Sequence, residues 1–266
     1  MTNIIKGKIM NSNKKTTEME DMKKNGEKIN PNKTARIAGA LYLLLVPLGF
    51  FGGMYIPSIT VPGNAVETVN NIMAHTMLFR LSILSALITP IVTVLAALFL
   101  YKLLKPVNKN QAALMVIFAL AAAPIAMLNE LNHFAVLLLL NGTEYLKVFN
   151  VDQLYSQVMF FLDLSHYGVS ITAIFWGLWL LPMGYLVFKS GFLPRIIGIL
   201  LIIAGFGYVI DSIALFLLPD LNIHFTQFTF IGELLFLLWL LFKGVNVEQW
   251  EKRALESVLM GNAKNE

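Results

Sequence analysis

Cysteine is absent from the 266 residues, and charge is scarce: Asp, Glu, Lys and Arg together make up 14% of the chain. The first absence excludes disulfides, thiolate metal ligands and thiol nucleophiles. The second is out of keeping with a soluble surface, since soluble domains are about 25% charged. Apolar residues take the space instead, at 57%, against about 45–50% in soluble domains. No glycine-rich phosphate loop, nucleophile elbow or other signature of a soluble enzyme is present. The net charge of +4 resembles a nucleic-acid footprint, but the positions of the basic residues give it another meaning, and no nucleic-acid partner is expected.

Six apolar stretches are long enough to cross about 30 Å of hydrocarbon. They cover residues 35–56, 79–101, 111–140, 158–188, 195–218 and 225–243. The third and fourth exceed what a span needs, so they tilt or run beyond the bilayer. Lys and Arg are retained on cytoplasmic flanks. With the N-terminus inside, eighteen of the twenty Lys and Arg fall on the inner side, leaving Arg80 and Lys147 outside. The chain therefore reads as an all-α integral membrane helical bundle, with six transmembrane helices and both termini cytoplasmic. Its first partner is the lipid bilayer of the cell membrane.

The segments outside the spans have their own patterns. Residues 1–32 form a polar, lysine-rich tail that reads as disordered. It is too long for a signal-peptide n-region and no small-residue cleavage site follows. Met22-Lys23-Lys24 resembles an ordinary start, so residues 1–21 are in doubt as native sequence. In the outer loop, Val66, Val69, Ile72 and Met73 follow Val61-Pro62-Gly63-Asn64 at helical spacing and predict a short surface helix. Beyond the membrane domain (33–245), residues 246–266 set Val247, Trp250, Ala254, Leu255, Val258 and Leu259 opposite Glu248, Glu251, Lys252 and Glu256. That pattern predicts an amphipathic helix on the inner membrane surface.

Several short stretches look familiar in this order: Lys33-Thr34-Ala35-Arg36-Ile37-Ala38-Gly39, Val61-Pro62-Gly63-Asn64-Ala65, Leu78-Phe79-Arg80 and Leu104-Lys105-Pro106-Val107-Asn108-Lys109. Ser190-Gly191-Phe192-Leu193-Pro194-Arg195, Gly207-Tyr208-Val209-Ile210-Asp211 and Gly232-Glu233 continue the series. Together they resemble the bacterial membrane family catalogued as domain of unknown function 4386, over about residues 33–245. The resemblance implies a bacterial multi-pass membrane protein and carries no activity, cofactor or site residue with it.

Ionisable groups inside spans are expensive, about 2.5–3.5 kcal/mol each at a helix centre, and are functional candidates by default. The candidates for ligand or proton binding are Arg80, Asn129, Glu130, His133, Asp163, His166, Asp211 and Glu233. Measured from the outer ends of the spans, all the acidic and histidine positions lie roughly 9–15 Å deep. That predicts one polar layer, open toward the outside. Glu130-x-x-His133 and Asp163-x-x-His166 each place a carboxylate and an imidazole on one helix face. Repeated on two helices, the spacing is that of bundle di-metal sites, with Asp211 and Glu233 available to complete it. The opposing reading makes these groups helix-to-helix ties, helped by Asn132, Ser165 and Ser212. His75 and His224 belong to outer loops. Gly49-x-x-x-Gly53 fits close helix packing. Pro47, Pro90, Pro124 and Pro182 lie within spans, where each removes a backbone donor. Arg36-Ile37-x-Gly39-x-Leu41 is echoed by Arg195-Ile196-x-Gly198-x-Leu200, although orientation alone asks for a basic residue there.

Three functions fit. A small solute is bound or transported through the outer cavity, with no cofactor expected. Alternatively, a metal-dependent hydrolase acts within the membrane on a lipid-like substrate. In the third, a structural or regulatory subunit works through its basic tail and terminal amphipathic helix. All three depend on the alternation of basic flanks. Reporters fused within the loop at Gly63 and after Trp250 are expected to report opposite compartments; the same compartment for both would overturn the topology.

Overall fold

The computed structural model describes residues 29–142, 144–218 and 225–262, and every regular element among them is helical. Asparagines set half of the helix starts. The Asn30 side chain accepts from the Lys33 amide to open α1 (Pro31–Ile59), and Asn64 accepts from Glu67 to open α2 (Ala65–Ala74). Each satisfies a backbone donor that the first helical turn leaves free. α3 (Thr76–Leu104) follows directly, and Asn108 caps α4 (Lys109–Asn129). At Glu130 the helix breaks and resumes as α5 (Leu131–Leu140). Asn150 and Gln153 cap each other's backbone at the start of α6 (Val151–Ser190), which ends on Gly191 at φ 77°. α7 (Arg195–Leu217), α8 (Thr226–Thr229), α9 (Ile231–Phe242) and α10 (Val247–Asn262) complete the order.

Five segments are long and apolar enough to cross a membrane: Pro31–Ile59, Thr76–Leu104, Lys109–Leu140, Val151–Ser190 and Arg195–Leu217. The predicted sixth span is the shorter Thr226–Phe242, which reaches the same length only when joined to Val247–Met260, and those two helices meet at 102°. Alone it is about 25 Å long at 1.5 Å per residue, a modest mismatch that local thinning of the bilayer absorbs. The bend falls at Gly244, whose φ of 68° is a left-handed conformation that glycine adopts without strain. There the Asn32 side chain accepts from the Val245 amide at 2.9 Å, tying the start of α1 to the end of α9. The predicted spans thus agree with the helices to within a few residues, except that α6 begins at Val151, ahead of the expected 158.

Each span neighbours the next around a ring, α1, α3, α4–α5, α6, α7 and α9, and α9 closes the ring against α1. Glycines make the tightest contacts. A Cβ on Gly177 would lie 2.5 Å from the Gly205 carbonyl, and one on Gly184 2.7 Å from that of Gly198, so α6 and α7 touch backbone to backbone. Gly52 approaches Ala86 of α3 in the same way. Gly49 and Gly53 do not: a Cβ on either meets nothing within 4 Å. The expected packing motif is therefore a stripe facing open space, because the neighbouring position 52 carries the contact.

One end of the ring gathers the start of α1, the Leu103–Lys105 turn, the Lys189–Phe192 turn and the C-terminal helix. The Trp250 indole donates to the Leu103 carbonyl at 2.8 Å, Arg253 to the Lys189 carbonyl at 3.0 Å, and the Asn246 amide to Phe192 at 3.2 Å. α10 lies across this end with Trp250 buried, as an amphipathic helix on a surface does. At the other end α2 buries Thr68, Val69 and Ile72, while Val66 and Met73, expected on the same face, point away. Two apolar cores result. One holds Ala38, Leu100, Leu186 and Trp250 at the basic end, and the other Ile72, Phe79, Val136 and Leu162 at the far end. Large apolar side chains such as Phe50, Phe228 and Phe242 are more than two-thirds exposed around the outside, as contact with lipid allows.

Candidate functional site

The polar residues predicted to share one level separate into distinct places. Distance along each helix from its basic-end residue shows why. At 1.5 Å per residue, Glu233 lies about 15 Å from Lys243, Glu130 about 32 Å from Lys109 and Asp163 about 39 Å from Lys189. Hydrocarbon is about 30 Å thick. Glu233 is thus at mid-depth, Glu130 at the far boundary and Asp163 beyond it. The extra turns of α6 and the length of α4 are what shifted the level inferred from sequence.

At the far boundary, Glu130, His133 and Asn129 meet Ser165 of α6. His133 Nδ1 is 2.8 Å from the Glu130 carboxylate and its Nε2 is 3.0 Å from the Ser165 hydroxyl. The Asn129 amide donates to the Ser165 carbonyl at 3.0 Å and to its hydroxyl at 3.2 Å, and Asn132 donates to Asn129. Gly168 leaves room for the Asn129 amide, which a Cβ would overlap, and the Phe79 ring meets the His133 imidazole edge-on. Hydroxyl, imidazole and carboxylate stand in the order used for nucleophilic catalysis. However, Ser165 is 3% exposed, lines neither of the cavities described below and already accepts a bond from Asn129. The network's effect is to bind the break between α4 and α5 to α6.

At mid-depth, Glu233 of α9 is the second centre. The Tyr42 hydroxyl of α1 donates to its carboxylate at 2.5 Å. Tyr42 stacks on Trp179 with centroids 6.0 Å apart and meets Phe236 edge-on, while Trp176 meets Tyr208 edge-on. Tyr42, Trp176, Trp179, Tyr208 and Glu233 wall a cavity of about 470 Å³, to which Thr89 and Thr93 of α3 also contribute. A second cavity of about 100 Å³ adjoins it through Gly49, Thr89, Thr93 and Trp176. Its walls are largely glycine, alanine and threonine, and it ends at Asn129 and Glu130. The small side chains leave space between the two apolar cores. Val46, Phe50 and Met54 of α1 and Phe230 and Leu234 across from them line the larger cavity and are also exposed on the outer surface. The cavity therefore opens sideways, between α1 and α9, which approach closely lower down, where a Gly39 Cβ would meet Leu241 at 3.0 Å.

The remaining predicted residues lie elsewhere. Asp211 accepts from the amides of Phe225 and Thr226, at 2.7 and 2.8 Å, and from the Thr226 hydroxyl; it caps the start of the sixth span. His166 is exposed and shares a cleft of about 130 Å³ with Asp211. Asp163 and Arg80 are exposed, and neither makes an ion pair among the described residues. The two carboxylate-x-x-His pairs do not converge, and no group of three or more His, Asp or Glu among the described residues is placed to hold a metal. His75 is exposed; His224 lies outside the described residues. Tyr42, Trp176, Trp179 and Tyr208 were missed as site residues. Their signal was position: Trp and Tyr normally gather at the membrane interfaces, and these are deep within spans.

The chain matches domain of unknown function 4386 over residues 37–244, and it belongs to that family. An uncharacterised protein of Archaeoglobus fulgidus is 34% identical over 163 residues, 61% of this chain and 83% of the relative, so related chains extend beyond bacteria. No solved structure matches. Two stretches that carried the resemblance in the sequence, around Tyr208 and Glu233, meet at the larger cavity.

Since the Ser165 hydroxyl is enclosed, a fluorophosphonate ester is expected to leave it unlabelled in mass spectra of the intact protein. His133→Ala strands the buried Glu130 carboxylate and is expected to destabilise the fold by about 1–3 kcal/mol, read as a lower unfolding temperature in detergent. Labelling of Ser165 that disappears in His133→Ala would contradict the tie and establish a nucleophile.

Proposed function

We propose that this is a protein of the cytoplasmic membrane, both termini inside, that binds a small amphiphilic solute at the centre of its helical ring and carries it through the bilayer. One observation carries the reading: a connected cavity system at mid-depth, walled by all six spans and holding a carboxylate, hydroxyls and aromatic rings. Solute sites of transporters commonly lie near the bilayer midplane between helices. Pockets of about 300–1,000 Å³ suit small ligands, and the larger cavity, about 470 Å³, falls in that range. In place of the outward-facing polar cavity expected from sequence, this reading takes a chamber entered from the side. The basic residues at the end that gathers both termini support its cytoplasmic orientation. Proline interruptions at Pro47, Pro90, Pro124 and Pro182 weaken the helices that surround the chamber and suit a wall that moves.

The test is tryptophan emission in lipid nanodiscs, since Trp176 and Trp179 face the cavity. A panel of brominated amphiphiles, cationic, neutral and anionic, is expected to include members that quench saturably. Gly49→Leu, whose added side chain projects into open space, is expected to retain the fold and abolish the saturable component. A panel with no saturable quencher, or a Gly49→Leu protein that responds like the parent, overturns the reading.

A further inference from the structure

We propose that the solute is a lipophilic monovalent cation, such as an organic ammonium, held with its charge against Glu233 and its apolar groups among the rings of the larger cavity. The inference rests on the solute-binding reading above and adds the charge class. It follows from what the cavity walls contain. Among the described residues, those lining the two cavities include two carboxylates, Glu233 and Glu130, and no lysine, arginine or histidine. Glu130 already has His133 at 2.8 Å. Glu233 has a hydroxyl, Tyr42, and forms no ion pair among the described residues. Among the described residues its carboxylate is the one anionic group lining the larger cavity, and no cationic side chain lies beside it.

The rest of the cavity fits the same chemistry. A cation over the face of Trp, Tyr or Phe within about 6 Å is attracted by the ring quadrupole, and the gain rises when both are removed from water. Tyr42, Trp176, Trp179 and Tyr208 all contribute to these walls, together with Phe50 and Phe230 at the mouth. An anionic solute would meet Glu233 with like charge and find no basic group to compensate. A small hydrated ion would exchange its water for walls that are mostly apolar, where the hydroxyl protons are already engaged: Thr89 donates to the Ser85 carbonyl, Thr93 to the Thr89 carbonyl and Tyr42 to Glu233. The lateral mouth, lined by Val46, Phe50 and Met54, admits a molecule that is itself at home in lipid.

Tetraphenylphosphonium and tetraphenylborate share a shape and differ in the sign of their charge, and they make the test. With the full chain in nanodiscs and empty nanodiscs as reference, equilibrium dialysis is expected to give saturable binding of the phosphonium and none of the borate. Glu233→Gln is expected to weaken phosphonium binding more than about 30-fold, the loss typical of removing one partner of a buried charge pair. A second measurement needs no variant. Dicyclohexylcarbodiimide, which is lipid-soluble, adds across the protonated carboxyl of Glu233 and leaves a mass-detectable acylurea, and bound phosphonium is expected to slow that reaction as it fills the site. Equal binding of the two ions, unchanged affinity in Glu233→Gln, or carbodiimide labelling indifferent to the phosphonium overturns the proposal. If the brominated panel quenches saturably while the phosphonium does not bind, the cation assignment falls and the solute-binding reading stands. If nothing binds in either assay, both fall.

Discussion

Hydrocarbon offers no hydrogen bonds, and that constraint organises this molecule. Every polar group carried into the membrane has to find its partner within the protein or sit where water reaches it. The backbone answers by being helical through the described spans, apart from single-residue breaks at Glu130 and Phe230. Side chains answer locally. Ser82 and Ser85 donate to carbonyls of α1, Asp211 takes the free amides at the start of the sixth span, and the Asn129–Glu130–His133–Ser165 network seals the break in the third. Glu233 is the exception in that it faces an open chamber. It is satisfied by a tyrosine hydroxyl, and among the described residues no opposite charge lies beside it.

The packing gives that exception a setting. Large side chains fill the ring at both ends, and small ones occupy the level between, where Gly49, Ala122, Ala126 and Thr172 border empty space. Close glycine contacts hold α6 to α7 and α1 to α3, so the ring stays closed around the void. The α1–α9 seam is tight near Gly39 and parts higher up. A chamber at mid-depth with a lateral mouth is a poor design for stability alone, because unfilled volume forfeits packing contacts. Its persistence beside a lone carboxylate is what ties structure to the proposed role.

Much of this was legible in the residues. The spans followed from hydrocarbon-length apolar runs, the ring's common basic end from the alternation of Lys and Arg, and the terminal surface helix from the spacing of Val247, Trp250 and Ala254. The Glu130–His133 pair was legible too, since three residues separate neighbours on one helix face. What failed was depth. A span's outer end cannot be read accurately when the helix continues past the membrane, as α6 does, so Asp163 and His166 were placed too deep, while the level inferred for Glu233 stands close to mid-depth. The Tyr42–Glu233 bond joins residues 191 apart, and no local pattern encodes such a meeting. Gly49-x-x-x-Gly53 failed for a related reason: the motif states that a helix face is smooth, not whether a neighbour or a void lies against it.

The lateral mouth between α1 and α9 is open to direct test, because the chain is free of cysteine. A single nitroxide at position 49, introduced through Gly49→Cys in protein reconstituted into lipid, can be examined by power-saturation electron paramagnetic resonance. Frequent collisions with oxygen, which dissolves in lipid, and rare ones with a water-soluble nickel chelate are the result expected of a chamber opening to hydrocarbon. Collisions with the nickel chelate as frequent as those with oxygen would mean an aqueous vestibule, and the arrangement described for α1 and α9 would be wrong.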